Sequence, residues 1–388
     1  MTSRTRALVL TISIPVIVFA ILGGYLGQAM AKDDTYQHLR VFEDVISLVL
    51  NNYVEPVDVK QAMKGAMKGL AEGLDPESAF LTADLVKAME SNTSAGAADV
   101  GIDLTRQYYL RVVSARDGSP AAKAGIRSGD FIRAIDNRPT RDMSAFEGSR
   151  LLHGAPGTKV ALLLIRGNAA DPHMVELVRE RPAGAEMTSR MADATTGYIR
   201  VVDFTKDSPA KFQQAFDALA KTGAAKYVID LRGTARGDLD DGLAASHLFV
   251  KAGTLGVRLT KGDQKEVVTA QASDGAVAAP IVLLVDQGTA GAAEIFAAAL
   301  DGNKRADLVG EHTLGRAARQ KLIKLPDNSG LWLTYLRYLT PSSDPIHEKG
   351  LEPDVDVEQP EIEFGSEAPA TDATLQKALE YLSTKKAA

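Results

Sequence analysis

The second half of the chain alternates apolar, strand-like segments with helix-like segments, and this alternation restricts the fold more than any other feature. Residues 281–285 read IVLLV, and residues 227–231 read YVIDL. Strands that are apolar on both faces are typical of mainly parallel sheets covered by helices, so an α/β core is predicted from residue 184 onward. Ligand sites of such cores lie where strands turn into helices, which draws attention to residues 230–238 and 286–294.

The part before residue 184 has a different pattern. Residues 36–53 and 58–73 carry apolar side chains at helical spacing, which predicts a helical N-terminal segment within residues 32–92. Short strand-like stretches and one small helix follow over residues 93–183. The segment SPAAKAG, followed by SGD and a strand, resembles a PDZ domain, a module that binds a peptide as an added strand.

This resemblance places the loop that would hold a peptide's terminal carboxylate at Asp99, Val100, Gly101 and Ile102. Asp99 stands where related PDZ domains usually have glycine, and its negative charge would oppose a peptide carboxylate. Capture of a free C-terminus is therefore expected to be weak, whereas addition of an extended segment as a strand is retained.

The N-terminus carries an uncharged apolar run, residues 7–23, which follows Arg4 and Arg6. The run is longer than a typical signal-peptide core and lies at the lower limit for spanning a bilayer. Two alternatives stay open: residues 1–31 are a signal peptide that is cleaved, or a membrane anchor that is retained. Because the arginines precede the run, both alternatives place the rest of the chain in the periplasm or on the extracytoplasmic face of the inner membrane.

Composition and missing motifs exclude several other classes of protein. The net charge is −6 and no basic stripe is visible, which argues against binding of nucleic acid. The chain has no cysteine, so it has no disulfide framework, no thiolate nucleophile and no soft metal site. It also lacks a His-Glu-x-x-His pair, a Gly-x-Ser-x-Gly elbow and a phosphate-binding glycine loop, so no metal and no cofactor are expected.

A series of landmarks follows one order along the chain. It runs from NNYVEPVD and LDPESAFL through the PDZ-like signature and LLHGAPGT to YVIDLRGTARG, VDQGTAGAAEIF and KGLEPDVDV. Over roughly residues 36–357 the chain thereby resembles the C-terminal processing, or tail-specific, serine peptidases. The resemblance implies a multidomain α+β and α/β protein. Its α/β peptidase-like core, of the ClpP/crotonase type, would cover residues 184–358, and an acidic linker with a C-terminal helix would cover residues 359–388.

The resemblance also implies where the peptidase site would lie. Members of the family have a serine nucleophile in a Gly-Ser-Ala-Ser-Ala-Ser-Glu turn and a lysine base 25 residues later. The corresponding turn here reads GTAGAAE, which puts Gly291 at the nucleophile position and Arg316 at the base position. Gln320 matches the family's supporting glutamine.

The oxyanion donors implied by the resemblance are the backbone N–H groups of Ala292 and Gly237. Arg236 replaces the first glycine of the family's Gly-Gly pair, so this part of the site is expected to be altered. Three alternatives stay open for Arg236 and Arg316. They would make the former pocket cationic and able to hold a carboxylate, pair with acids such as Asp238 and Glu294, or point into water.

The residue types themselves argue against catalysis. Glycine offers no atom that can form an acyl intermediate. A guanidinium stays protonated in proteins and cannot act as the base. The catalytic set is therefore predicted to contain no intact member.

The leading hypothesis is an exported pseudopeptidase that binds protein or peptide C-terminal tails, or serves as a scaffold, through its PDZ-like domain and cleft. It would act as a homodimer, or as a heteromer with an active relative or an envelope complex, and would touch the membrane through an uncleaved N-terminal segment. One alternative is an active serine-type endopeptidase-like protease with an unconventional nucleophile such as Thr289. Another is a structural envelope subunit whose groove is closed.

Overall fold

A computed structural model of the protein describes residues 36–91, 96–167, 171–360, 362–366 and 371–384. The predicted signal peptide or anchor of residues 1–31 lies outside these ranges. Within them, no helix combines the length and the apolar character needed to cross a bilayer.

The chain divides into two units at Met67. Helix α1 covers residues 36–52, and helix α2 covers Val59–Glu72 and crosses the division. Both helices follow the predicted apolar spacing. Large apolar side chains of α1 are exposed, among them Leu39 at 56% and Val45 at 50%. After α2 come strand β1 (Ala79–Leu81) and helix α3 (Ala83–Glu90).

The PDZ-like domain is one antiparallel sheet with two small helices. Its strands lie in the order β2-β3-β4-β6-β7, and β5 pairs with β4. Ser119 caps the small helix that begins at Pro120: its side chain accepts from the N–H of Ala122. The elements are β2 (Ile102–Gln107), β3 (Tyr109–Ala115), α4 (Pro120–Lys123), β4 (Phe131–Ile135), β5 (Arg138–Pro139), α5 (Ala145–Leu152), β6 (Lys159–Ile165) and β7 (His173–Val178).

The α/β core contains the predicted parallel sheet. Its order is β19-β16-β15-β11-β9-β8, in which only the edge strand β8 runs antiparallel to its neighbour. Its strands are β8 (Met187–Met191), β9 (Thr196–Val201), β11 (Lys226–Asp230), β15 (Ile281–Val285), β16 (Ala306–Gly310) and β19 (Val355–Asp356). The helices of the core are α6 (Ser208–Lys221), α7 (Leu239–Ser246), α8 (Ala292–Gly302) and α9 (Ala373–Thr384).

The position of β15 explains why its sequence is wholly apolar. All five of its residues are fully buried. Leu283 packs with the phenylalanines of one helical layer, whereas Leu284 packs with Leu382 of α9 on the opposite face. Both faces of the strand are thus covered by helices, as the IVLLV pattern predicts.

A second, antiparallel sheet flanks the core. It has the order β1-β18-β13-β14, with β17 paired to β18, and a short parallel pair joins β10 to β12. These strands are β10 (Asp203–Phe204), β12 (Arg236–Gly237), β13 (Thr254–Thr260), β14 (Gln264–Thr269), β17 (Ala318–Lys324) and β18 (Gly330–Leu339).

Part of the predicted acidic linker contacts the PDZ-like domain. We call residues 362–366 the strap. The carbonyl of Ile362 accepts from Arg166 at 3.3 Å, and the Phe364 ring stacks on His173 with centroids 4.8 Å apart. The Arg166 guanidinium lies 5.0 Å from the centroid of the same ring. The chain then returns to the core as α9, so the strap connects the two domains a second time.

Candidate functional site

The turn between β15 and α8 holds the predicted nucleophile position. Gly291 is the residue before α8, with φ 64° and ψ −121°, a backbone conformation that residues with a Cβ rarely adopt. A Cβ built there would meet nothing closer than Leu239 Cδ2 at 3.5 Å. Hydrolases hold nucleophiles on sharp, strained turns between a strand and a helix. The turn therefore has room for a nucleophilic side chain but carries none.

We expect Gly291→Ala and Gly291→Ser each to lower the free energy of unfolding by about 1–3 kcal/mol, because the positive φ strains any side-chain-bearing residue. Chemical denaturation followed by fluorescence measures this change. Gly69→Ala is the matched control: Gly69 lies within α2, where a Cβ meets nothing within 4 Å, so this variant should be neutral or stabilised. A Gly291→Ala protein as stable as wild type would contradict the strained turn.

Glu294 joins this turn to the loop that carries the predicted base position. Its side chain is fully buried and accepts from Gly291 N–H at 3.0 Å and from the Thr313 hydroxyl at 2.5 Å. It also accepts from the N–H groups of Gly315 at 2.5 Å and Arg316 at 2.8 Å. Burial raises the pKa of Glu294, although these four donors act in the opposite direction. The sequence offered one signal for this role, an acidic residue three positions after a helix cap.

The guanidinium of Arg316 does not contact the carboxylate of Glu294. One of its nitrogens donates to the carbonyl of Ala235, in the turn after β11, and the other lies 3.4 Å from the carbonyl of Leu104 on β2. The sequence-based alternatives for Arg316, a cation that holds a carboxylate, a partner of Glu294 or a side chain in water, do not include these two carbonyl contacts. Arg316 instead connects the core to the PDZ-like domain.

Arg236 makes the same connection through charge. Its Nε lies 2.9 Å from Asp103 Oδ2, and its guanidinium lies 3.5 Å from Asp99. Burial disfavours its charged form, but Asp103, Asp99 and Asp203 together raise the pKa of Arg236. The suggested partner Asp238 pairs with Arg319 instead. Arg236 is thus an interdomain ion-pair residue.

Asp99 is neutralised inside the protein. Its carboxylate is 4% exposed and receives two hydrogen bonds from Arg116, at 2.7 and 3.2 Å. His153 lies 3.9 Å away. Burial opposes ionisation of Asp99, yet Arg116 and Arg236 hold its pKa below the usual value. Its predicted repulsion of a peptide carboxylate is therefore offset by two guanidinium groups.

The remaining loop residues have structural contacts. Val100 and Ile102 are buried in the core of the PDZ-like domain. Gly101 has φ 79°, and a Cβ there would lie 2.2 Å from Ser119 Cβ, so only glycine fits. The loop therefore keeps its glycine-dependent shape despite Asp99.

Thr289 lies inside the turn. It is fully buried, and its hydroxyl donates to the carbonyl of Leu231 at 3.0 Å and accepts from the N–H of Asp286 at 3.0 Å. These bonds tie the turn after β15 to the end of β11. The hydroxyl is thus engaged in holding two turns together.

The other predicted site residues lie on three different elements, α8, β12 and β17. Ala292 is the buried first residue of α8. Gly237 pairs with Phe204 in the β10–β12 ladder, where a Cβ would lie 2.4 Å from the carbonyl of Phe204. Gln320 donates to Thr334 at 3.1 Å on the flanking sheet, and among the described residues no hydrogen bond joins it to Arg316.

One residue that packs on these turns, Val113, was not predicted from the sequence. Val113 of β3 is fully buried against Ala235, Ala290 and Leu314, which belong to three different turns of the core. Alternation within β3 puts Val113 on the face opposite to Val112, which packs in the core of the PDZ-like domain, and it does not show what covers that face. The PDZ-like domain therefore packs directly on the turns that surround Gly291.

Comparison with known proteins agrees with this architecture. Residues 195–357 match the profile of peptidase family S41, and residues 111–166 match a PDZ domain profile. A carboxy-terminal-processing protease of Bartonella bacilliformis is 31% identical over 361 residues, which cover 89% of this chain and 83% of that protein. The carboxy-terminal processing protease CtpA of Bacillus subtilis is 32% identical over 342 residues, covering 87% and 72%.

Solved structures include a similar one. The photosystem II D1 C-terminal processing protease superimposes with a TM-score of 0.69 at 29% identity, covering 82% of this chain and 86% of that chain. The PDZ-like domain is therefore a PDZ domain, and the predicted combination of helices, PDZ domain and α/β core is confirmed.

Proposed function

Since the chain belongs to the carboxy-terminal processing proteases of peptidase family S41, we propose that it is a member that binds extended polypeptide segments without cutting them. The observation that carries this proposal is Gly291, which stands at the tip of the nucleophile turn with no side chain. Acyl transfer needs an oxygen or sulfur at that point.

The other groups around the turn support the same proposal. Arg316 takes the place of the base, stays protonated, and donates to two backbone carbonyls. The hydroxyl of Thr289 is buried and hydrogen-bonded on both sides. The PDZ domain remains as the part of the chain that binds protein or peptide tails, by strand addition.

The proposal extends to location and assembly. Residues 1–31 direct the chain out of the cytoplasm, as a cleaved signal or as an anchor. The exposed apolar side chains of α1, such as Leu39, Val45 and Leu48, favour self-association or contact with an active relative or an envelope complex.

Incubation of the full chain with fluorescently labelled β-casein tests the proposal. We expect saturable binding by fluorescence anisotropy and no fragments on gels, and no labelling by a fluorophosphonate probe. The double variant Gly291→Ser/Arg316→Lys is the comparison, since it alone carries both dyad groups, and any turnover or probe labelling is expected only there. Cleavage of casein by the wild type that is lost in Thr289→Ala would contradict the proposal.

A further inference from the structure

Strand β2 forms one edge of the PDZ sheet. Within its sheet β2 pairs only with β3, and α5 lies beside it: a Cβ on Gly148 of α5 would be 3.2 Å from Leu104 Cδ1. An extended segment adds to such an edge through backbone hydrogen bonds.

The backbone of Leu104 faces this open edge. Leu104 is opposite Val112 on β3, and Val112 directs its N–H to Asp130 and its carbonyl to Gly129, both on the β4 side. Residues opposite each other in an antiparallel pair either bond to each other or both face outward. The Leu104 carbonyl therefore points away from β3, where the N–H of an added strand would bond to it.

The guanidinium of Arg316 already donates to the Leu104 carbonyl. Its guanidinium reaches Leu104 from the core while donating to Ala235. A cavity of 250 Å³ lies beside this contact, between β2, α5 and the core. Leu104, Phe146 and Trp332 form apolar walls. The charged lining residues are Arg106, Arg316, Glu72, Glu77 and Asp103, and Arg106 pairs with Glu72. The cavity has room for side chains of an added strand.

A second contact holds the same strand from the same side. Arg236 binds Asp103, the neighbour of Leu104, and approaches Asp99 in the loop before β2. Arg236 and Arg316 occupy two positions where the chain differs from the family's peptidase site. Both residues contact β2 or the loop that leads into it.

We propose that Arg316 is a gate on the strand-binding edge: an extended polypeptide segment adds to β2 only when the guanidinium releases the Leu104 carbonyl. The proposal rests on the proposed function, because it concerns how the PDZ domain admits the segment that it binds. A guanidinium does not titrate in the physiological range, so the gate opens by competition with the segment's own N–H groups and not by a change of pH.

Arg316→Met tests the gate, because methionine keeps an unbranched stem and removes every donor. A closed state that must open first weakens apparent affinity by the fraction of open protein, so we expect the full-length variant to bind labelled β-casein about tenfold more tightly than wild type. Arg319→Met is the matched control. Arg319 pairs with Asp238 and Asp240 and makes no described contact with β2, so its affinity should equal that of wild type.

Amide hydrogen exchange over residues 102–107 gives a second readout. Exchange should be faster in Arg316→Met than in wild type, and casein should slow it in both. Arg316→Lys, which keeps the charge but has fewer donors, should fall between them and serves if the methionine variant is poorly folded.

Binding by both proteins with unchanged affinity would overturn the gate and leave the proposed function standing. Casein bound by neither protein would overturn the proposed function and the gate with it. Binding by the variant alone would support a gate that is closed in the wild type.

Discussion

Glu294→Ala is expected to lower the free energy of unfolding by about 3–5 kcal/mol, because it removes the acceptor of four buried donors at once. Those donors are the N–H groups of Gly291, Gly315 and Arg316 and the hydroxyl of Thr313. Each of these donors would lose the acceptor that it has in the folded protein. Urea denaturation followed by the fluorescence of Trp332, the single tryptophan, measures the loss.

Two variants serve as comparisons for Glu294→Ala. Glu294→Gln keeps the shape and one acceptor oxygen, so it should lose less than the alanine variant. Glu266→Ala removes an exposed partner of Arg258 and should change stability by less than about 0.5 kcal/mol. A loss below about 1 kcal/mol in Glu294→Ala would mean that the carboxylate does not hold the two turns together.

Asp230→Ala is expected to be as severe, at about 3–5 kcal/mol, because it removes the buried carboxylate that pairs with Arg232 and leaves the Tyr198 hydroxyl without its acceptor. Asp230 ends β11 and is 2% exposed. It accepts from Arg232 Nε at 3.0 Å and from the Tyr198 hydroxyl at 2.7 Å. Arg232 also binds Asp372, just before α9, so the pair fastens the C-terminal helix to the end of the strand.

The effect of Asp230 depends on pH in a definite direction. Burial opposes its ionisation, but Arg232 and Arg200 hold its pKa below the usual value. A carboxyl whose pKa is lower in the folded state than in the unfolded state stabilises the fold at any pH above its unfolded pKa, which is about 3.9 for aspartate. This stabilisation is lost as the pH falls through the folded-state pKa. The difference in stability between wild type and Asp230→Asn should therefore be full at pH 7 and shrink below about pH 4.

Denaturation at pH 7 and near pH 3 measures this difference. Asp117→Ala is a suitable control, since Asp117 is a half-exposed partner of Arg200 and its loss should cost less than about 1 kcal/mol. A difference that grows toward acid would refute the direction given for the pKa of Asp230.

Local features of the fold were predictable from local sequence. The IVLLV strand and the turn with Gly291 follow from apolar patterning and motif spacing, because both depend on residues that are neighbours along the chain. The same holds for the small PDZ helix that Ser119 caps. Glycine at position 291 also excluded a nucleophile before any geometry was known.

The contacts of the two arginines were not predictable in this way. Arg236 binds Asp103, which lies 133 residues earlier, and Arg316 reaches Leu104 over 212 residues. Charge alone suggested the nearer acids Asp238 and Glu294, but Asp238 is taken by Arg319 and Glu294 by backbone donors. Which partner an arginine finds depends on how domains pack, and spacing does not encode that.

The strap has a consequence for the order in which the protein matures. Chains emerge from the ribosome N-terminus first, and domains fold as they become complete. Every strand of the PDZ domain and of the core is finished by Asp356. Phe364 is made afterwards, so the second connection between the domains forms last. Until then a newly made PDZ domain is held to the core by contacts around β2 and β3, among them those of Arg236 with Asp103 and of Arg200 with Asp117.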